Sequence, residues 1–506
     1  MGDARRSILL LWISLGVHAF VFAQGWQEGP GCRFKELMVS SGGKPGFTLL
    51  PPRETGVWFT NSLPESRSFT NTIAANGSGV AAGDMDGDGL CDLFFCGLGG
   101  GSRLYRNLGG WHFEDITERA GIRCTNLDAT GAVFADINGD GHLDLLVNSI
   151  GGGTHVFIND GQGRFRHSPL VLNAGRGGTS LALADTRGRG WLDLYVANYR
   201  ASTIMDAPGT RFSMKMVNGQ AEVALINGRL PTDPEWTNRF RFKTEMDEQG
   251  RSRLGREELG EPDVFFRNDG QGGFEAISWT AGCFLEPDGQ PLATPPFDWG
   301  LSVVFRDFNG DGWPDIYVCN DFQSPDRFWL NDGQGHFEPL SWTRGRFLDE
   351  DGKPLTSPPR DWGLSAMFRD LNGDGLPDLY VCNDYFTPDR VWINQGKGIF
   401  RALPSLALRK TCYAAMAVDF ADINRDGFDD LFVTEMLSRD HVRRQVQHSL
   451  LEMLPVPSWG WGWTMGDWTR PVQVMRNTLS LNRGDGTYAE IAQFSGVQAS
   501  EWSWGL

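Results

Sequence analysis

The nonapeptide Asp307-Phe308-Asn309-Gly310-Asp311-Gly312-Trp313-Pro314-Asp315 carries side-chain oxygens at positions 1, 3, 5 and 9, with glycine at positions 4 and 6. Four further full copies occupy residues 84–92, 136–144, 370–378 and 422–430. A degenerate copy occupies residues 185–193 and has Arg187 and Arg189 at positions 3 and 5. Recurrence at a spacing of about 50 residues predicts a repeat architecture, either a propeller or a solenoid.

A second element follows each copy of the nonapeptide. It consists of an apolar or aromatic stretch, an asparagine, a glycine-containing turn and then Phe or Tyr. The asparagines of the six copies are Asn107, Asn159, Asn268, Asn331, Asn394 and Asn482. Asn and Gly tolerate positive φ, so the element predicts a hairpin between two strands. Each unit then holds four strands, which is the content of one propeller blade.

The nonapeptide also predicts a cation site. Positions 1, 3 and 5 supply side-chain oxygens, position 7 a backbone carbonyl and position 9 a carboxylate, while Gly at position 6 permits a sharp turn. Six or seven oxygens of variable geometry suit Ca²⁺ better than Mg²⁺, and nitrogen and sulfur ligands are absent, which argues against Zn²⁺. We therefore expect about five Ca²⁺ sites. The expected ligands are Asp84, Asp86, Asp88, Leu90, Asp92, Asp136, Asn138, Asp140, His142, Asp144, Asp307, Asn309, Asp311, Trp313, Asp315, Asp370, Asn372, Asp374, Leu376, Asp378, Asp422, Asn424, Asp426, Phe428 and Asp430.

The nonapeptide pattern has two alternative interpretations. An EF-hand needs Glu at position 12 and flanking helices, but position 12 is apolar in all five full copies, so a strand–loop–strand unit is favoured. An acidic turn without metal is the other reading, although the clustered carboxylates would then repel one another. In the degenerate copy an internal guanidinium is expected to pair with Asp185 and Asp193, and we expect no metal there.

Composition and the amino terminus limit the class of protein. The chain has 506 residues and a formal net charge of −17, which disfavours binding to nucleic acid, and 40% hydrophobic residues are enough for a large core. Arg5 and Arg6 precede an apolar run over residues 8–22 that is too short to span a bilayer. We predict a signal peptide over residues 1–23, cleavage after Ala23, and a secreted or extracytoplasmic protein in the periplasm or at the cell surface. No membrane span is expected.

The paired nonapeptide and hairpin motifs resemble the FG-GAP or VCBS repeats of integrin α-chain propellers. Residues 113–122 are similar to the bacterial relatives of cartilage acidic protein, the ASPIC/UnbV group. The resemblance implies an all-β, seven-bladed, calcium-stabilised extracellular propeller that serves cell adhesion or ligand binding. Residues 504–506 repeat the Trp-Gly-Leu that precedes two of the nonapeptides, so the chain is expected to stop inside a truncated last blade.

Spacing of the motifs divides the chain. An N-terminal extension is expected over residues 24–54 and the propeller over residues 55–506, with insertions at 200–262 and 435–475. The second insertion contains a predicted short helix over 438–454 and a cluster of tryptophans. Cys96, Cys319 and Cys382 occupy equivalent strand positions and are expected to be small buried side chains, with disulfides as the alternative.

No catalytic motif is present in the sequence, so no catalytic residue and no organic cofactor are expected. The function favoured by the sequence is a non-enzymatic module that binds an extracellular protein or glycan. The alternative is an extracellular propeller hydrolase or lyase that acts on polysaccharide.

Overall fold

The structure is a computed structural model. It describes residues 27–29, 32–34, 46–68, 70–217, 220–246, 252–321, 324–359, 361–385, 387–445 and 472–501. The predicted signal peptide, the tryptophan cluster of the second insertion and residues 504–506 lie outside these ranges. Among the described residues, no helix is both long enough and apolar enough to cross a membrane.

Six sheets form blades 1 to 6, each with four antiparallel strands in chain order, and the sheet of blade 5 has a fifth strand. Blade 1 consists of Val80–Gly83, Asp92–Phe95, Arg103–Asn107 and Phe113–Asp115. Blade 2 consists of Ala129–Ala135, Asp144–Ser149, Gly153–Asn159 and Phe165–Leu172. Blade 3 consists of Gly178–Ala184, Asp193–Asn198, Val264–Asn268 and Phe274–Ile277. Blade 4 consists of Gly300–Arg306, Asp315–Asn320, Arg327–Asn331 and Phe337–Pro339.

Blade 5 consists of Gly363–Arg369, Asp378–Asn383, Arg390–Asn394 and Phe400–Ala402, and Phe347–Leu348 pairs in parallel with its last strand. Blade 6 consists of Ala417–Ala421, Asp430–Thr434, Thr478–Asn482 and Tyr488–Glu490. Outside the blades, three two-stranded sheets pair Gln27–Gly29 with Cys32–Phe34, Phe212–Val217 with Gln220–Ile226, and Phe240–Met246 with Ser252–Glu258. A fourth pairs Lys410–Cys412 with Val472–Val474 in parallel.

Helical segments are short. The α-helices are Pro52–Thr55, Glu65–Ser68, Pro234–Thr237 and Ala492–Ser495, and residues 441–445 are also helical. The 3₁₀ segments are Thr72–Asn76, Leu98–Gly100 and Ile204–Asp206, and Trp279–Cys283 and Trp342–Arg346 are π-type turns. Residues 446–454 of the helix predicted in the second insertion fall outside the described part of the chain.

Burial explains why the second strand of each blade is almost continuously apolar. In blades 2 to 5 all six residues of this strand are buried, because it lies in the middle of its sheet and is covered on both faces by neighbouring blades. Five apolar clusters each combine side chains from two consecutive blades. From blade 1 to blade 6, the first strand of each blade also contacts the first strand of the next blade. The all-β propeller predicted from the sequence is thus confirmed.

The number of blades differs from the expectation. Seven blades with a truncated last one is wrong for the described residues, which form six. The sequence carries six pairs of nonapeptide and hairpin, whereas the number seven came from the family resemblance and the truncated last blade from the Trp-Gly-Leu at residues 504–506, which lie outside the described part of the chain. Each of the six pairs corresponds to one blade.

The first insertion folds as a small unit between the second and third strands of blade 3. Its two hairpins and the helix Pro234–Thr237 enclose a separate apolar cluster that includes Ile226, Trp236 and Phe240. Because these side chains pack on one another, the insertion has a small apolar core of its own beside the blade.

Candidate metal centres

Each nonapeptide forms the loop between the first and second strands of its blade. The loop begins directly after the first strand, and its position 9 is the first residue of the second strand. The strand–loop–strand unit predicted from the apolar position 12 is therefore present in all six blades. Four loops have Asn at position 3 and are called the consensus loops: residues 136–144, 307–315, 370–378 and 422–430.

Positions 4 and 6 of the loops require a left-handed backbone. In the loop of blade 5, Gly373 and Gly375 have φ of 78° and 85°, and nothing would contact an added Cβ at either residue. Backbone conformation, rather than space, therefore explains the glycines. Blade 6 departs from the pattern, because Arg425 occupies position 4 with φ of 60°.

The substitution Arg425→Gly is expected to stabilise the protein. A non-glycine residue in the left-handed region costs about 1 kcal/mol, and the greater chain entropy of glycine offsets part of that, which leaves a gain of about 0.5 kcal/mol. A thermal melt should show a rise of about 1 °C. The matched control Gly373→Ala places a side chain at the same position of blade 5 and should lower the melting temperature; a rise there would contradict the explanation.

In each full loop the acidic side chains accept hydrogen bonds from the backbone of the same loop. The position 1 carboxylate accepts the backbone N–H groups of positions 5 and 6, and the position 5 carboxylate accepts the N–H of position 7. In the loop of blade 4 these bonds run from Asp311 and Gly312 to Asp307 at 3.2 and 2.8 Å, and from Trp313 to Asp311 at 2.9 Å. The turn is thus built by the same acidic side chains that the sequence predicts as ligands.

The donor set fits a hard divalent cation. In the blade 1 loop, carboxylate oxygens of Asp84, Asp86 and Asp88 lie within 4.8 Å of one another. Oδ1 of Asp86 is buried and has no hydrogen-bond partner among the described residues. The side chains at positions 1, 3, 5 and 9 of the five full loops all offer oxygen ligands, which suits Ca²⁺. Coordination by the position 7 carbonyls of Leu90, His142, Trp313, Leu376 and Phe428 stays a prediction.

Position 9 has a role that the sequence analysis did not foresee. Its carboxylate is buried, and in all five full loops one oxygen accepts the N–H of position 2 and the other the N–H of the hairpin asparagine, at 2.7 to 3.3 Å. Burial raises the pKa of Asp315 to about 7 and that of Asp144 to about 6. These carboxylates tie the loop to the third strand of the same blade, whether or not they also bind metal.

The hairpin asparagine links neighbouring blades. Nδ2 of Asn331 donates to the carbonyl of Thr186 in the preceding blade at 2.9 Å, and Nδ2 of Asn394 donates to Phe308 at 2.8 Å. Equivalent bonds are made by Asn159, Asn268 and Asn482. The second repeated element of the sequence is therefore more than a turn former, since its amide joins each loop to the next blade.

The degenerate loop of blade 3 contains an internal cation. The guanidinium of Arg187 donates to Asp193 through Nη2 at 3.0 Å and Nε at 3.3 Å, as the sequence suggested for one of the two arginines. Asp185 instead accepts backbone N–H groups of its own loop, including those of Arg189 and Gly190. The absence of metal from this loop stays a prediction.

A second repeated polar contact was missed by the sequence analysis. The hydroxyl groups of Tyr195, Tyr317 and Tyr380 donate to the buried carboxylates of Asp263, Asp326 and Asp389. Burial raises the pKa of each of these carboxyl groups to about 7. The signal was present as a Pro-Asp dipeptide before the third strand of blades 3, 4 and 5.

These carboxyl groups predict a pH dependence of stability. The pKa of Asp326 is raised in the folded state, so the folded protein binds its proton more tightly, and stability falls as the pH rises from about 4 to about 7. Asp326→Asn keeps an acceptor for the Asn320 N–H and should flatten this part of the profile. Melting temperatures at pH 5 and pH 8 should therefore differ less in this variant than in the wild type.

The control for this prediction is Asp351→Asn, which changes an exposed carboxylate paired with Lys353. It should leave the difference between pH 5 and pH 8 unchanged. A wild-type melting temperature that rises between these two pH values, or an Asp326→Asn variant with the wild-type profile, would contradict the assignment.

Other carboxyl groups gather where the second strands of blades 4, 5 and 6 end. Asp321, Asp384 and Glu435 follow these strands, and the charges of Asp321 and Glu435 add to burial in raising the pKa of Asp384 well above its usual range. Burial also raises the pKa of Glu435 to about 8. Asp384 is 9% exposed and Glu435 is 2% exposed.

The three cysteines at equivalent strand positions are small buried side chains, as the sequence analysis favoured over disulfides. Cys96, Cys319 and Cys382 are buried, and every cysteine whose side chain the structure describes is unpaired. Burial raises the pKa of these three thiols well above their ordinary value. They pack as small apolar side chains within the blades.

Comparison with known proteins identifies the repeat. The model of the FG-GAP-like repeat matches residues 84–147, 136–196, 307–366 and 370–433. A T-cell immunomodulatory protein homolog from Plasmodium yoelii yoelii is 33% identical over 145 residues, which cover 26% of this chain. The match covers 20% of that relative, so the chain spans about a fifth of its length.

Two solved lectin structures were also found. The Agrocybe aegerita lectin that recognises non-reducing terminal N-acetylglucosamine shares 19% identity over 81% of this chain and 92% of its own, with a TM-score of 0.31. The BP39L lectin from Burkholderia pseudomallei shares 14% identity over 71% of this chain and 93% of its own, with a TM-score of 0.32.

Proposed function

Because this chain is a β-propeller built from FG-GAP-like repeats, we propose that it is a secreted calcium-binding module that binds a protein or glycan without catalysing a reaction. Two observations support the calcium part: three carboxylates converge in the blade 1 loop, and the consensus loops are built by the same acidic side chains at positions 1 and 5. Bound Ca²⁺ would neutralise the gathered carboxylates and hold the loop between the first two strands.

The first insertion supports the ligand-binding part. Met205, Met214 and Met216 on this insertion are 71%, 49% and 69% exposed, while the insertion keeps its own buried cluster. Exposed methionines on a folded unit are adaptable contacts for a protein partner. The name of the Plasmodium relative, a T-cell immunomodulatory protein homolog, is in keeping with a ligand outside the cell.

The test is a binding screen against glycans and cell-surface proteins, with and without Ca²⁺, using the full chain. We expect a ligand of one of these classes, bound more tightly in Ca²⁺. Met214→Ser with Met216→Ser should weaken binding, whereas Val171→Ser, an exposed apolar residue on blade 2, should not. If all variants bind equally well, the first insertion is not part of the binding site. If the screen finds no ligand, the proposed function is contradicted.

The alternative, a hydrolase or lyase acting on polysaccharide, has one supporting observation. Carboxyl groups with raised pKa values, such as Asp384 and Glu435, can serve as general acids near neutral pH. Both groups are buried, however, which keeps them from a polymeric substrate. Release of sugar from polysaccharide by the wild type, lost in Glu435→Gln, would favour the enzyme over the binding module.

A further inference from the structure

The loop of blade 1, residues 84–92, differs from the consensus loops at position 3. In the consensus loops the Asn side chain donates through Nδ2 to Oδ2 of the position 5 Asp, at 2.9 to 3.0 Å. Blade 1 has Asp86 at this position, and an ionised carboxylate cannot donate. Asp88, its position 5 residue, therefore needs a donor from elsewhere.

That donor is Arg106, which lies on the third strand of blade 1 directly before the hairpin asparagine. Its Nη2 donates to Oδ2 of Asp88 at 2.9 Å, and its Nε lies 2.5 Å from Oδ2 of Asp86. The residue in the same place is apolar in every blade that has a consensus loop, namely Ile158, Leu330, Ile393 and Leu481. An acid at position 3 and an arginine before the hairpin thus occur together in blade 1.

The positive charge of Arg106 affects how strongly the blade 1 loop can bind a cation. The blade 1 loop has four carboxylates, and the guanidinium of Arg106 returns its net charge to that of a consensus loop while using one oxygen each of Asp86 and Asp88. Side chains of Arg106 and Asp86 are 36% and 11% exposed, so solvent screens their interaction only in part. A divalent ion entering the loop would be repelled by the guanidinium and would compete with it for the same carboxylates.

We propose that Arg106 is the built-in cation of the blade 1 loop, and that this loop therefore binds Ca²⁺ at least about tenfold more weakly than the consensus loops. The proposal rests on the proposed function, under which the consensus loops bind Ca²⁺. Three kinds of loop then occur in one protein. In the described consensus loops no guanidinium pairs with the carboxylates at positions 1, 5 and 9, and this includes blade 6, where Arg425 occupies position 4. Blade 1 takes a cation from the neighbouring strand, and blade 3 carries Arg187 within the loop itself.

The test is calorimetric titration of the metal-free full chain with CaCl₂. We expect four tight sites in the wild type and five in Arg106→Ile. The reciprocal change, Asn309→Asp with Leu330→Arg, transfers the blade 1 arrangement to blade 4 and should leave three tight sites. Arg119→Ile is the matched control, because it removes an arginine that lies just after the last strand of blade 1 and pairs with Glu114 outside the loop. It should keep four sites.

Five equal sites in the wild type, or no additional site in Arg106→Ile, would overturn the proposal. If no variant binds Ca²⁺, the proposed calcium function fails, and thermal melts in chelator then decide the role of Arg106. Arg106→Ile should melt below Arg119→Ile, and Asp86→Asn with Arg106→Ile should recover the loss by restoring the consensus asparagine. Equal melting of Arg106→Ile and Arg119→Ile in chelator would show that Arg106 is not the counter-cation of the loop.

Discussion

Chelation of calcium is expected to lower the melting temperature of the full chain by on the order of 10 °C. At tenfold saturation each bound ion adds about 1.4 kcal/mol to the free energy of unfolding, so four consensus loops together supply about 6 kcal/mol. The physical source is the neutralisation of three carboxylates in each loop, which repel one another when no ion is present.

Melts in excess EDTA, and again after CaCl₂ is restored in excess of the chelator, measure this effect. Mg²⁺ should restore less of the melting temperature than Ca²⁺, because it requires a tighter octahedral shell. Asp311→Ala, in a consensus loop, should remove part of the calcium-dependent increment, whereas Arg189→Ala, in the degenerate loop, should leave it intact. An identical melt with and without EDTA would refute the calcium sites.

The second large effect is expected from Asp193→Ala in blade 3. The variant leaves the side chain of Arg187, which is 11% exposed, without its ionic partner, and also removes the acceptor of the Asn268 N–H. Breaking one member of a buried ion pair costs about 3–5 kcal/mol, since the remaining charge stays buried. We therefore expect a larger loss than at any position 9 residue of a full loop.

The comparison for this prediction is Asp315→Ala in blade 4, which strands two backbone donors, Phe308 and Asn331, but no charge. Its expected cost is about 3 kcal/mol. Both variants should be measured by thermal and urea unfolding in chelator, so that bound metal makes no contribution. Arg187→Met combined with Asp193→Asn should recover part of the loss, and an Asp193→Ala variant as stable as the wild type would contradict the role given to this pair.

Local pattern was enough to predict much of the fold. The glycines at positions 4 and 6 of the nonapeptide, the apolar residue at position 12 and the asparagine of the hairpin each act within a few residues, through backbone dihedrals and burial. The sequence accordingly predicted the strand–loop–strand units and the four-stranded blades. It also predicted that an arginine of the degenerate loop pairs with Asp193. The described residues form six blades rather than seven, because only six pairs of nonapeptide and hairpin are present to build them.

Only the tertiary structure shows which residues distant in sequence form hydrogen bonds and ion pairs with one another. Position 9 was predicted as a ligand from its spacing, but which amides it also accepts depends on how the second and third strands pair. The bond from Asn331 to Thr186 joins two blades over 145 residues, and Tyr195 meets Asp263 across the first insertion. The same strand pairing brings Arg106 to Asp86. The sequence determined which side chains each loop offers, because those residues are neighbours along the chain. The fold determined which loops already hold a cation, because the attraction between opposite charges depends on their distance in space and not on their separation along the chain.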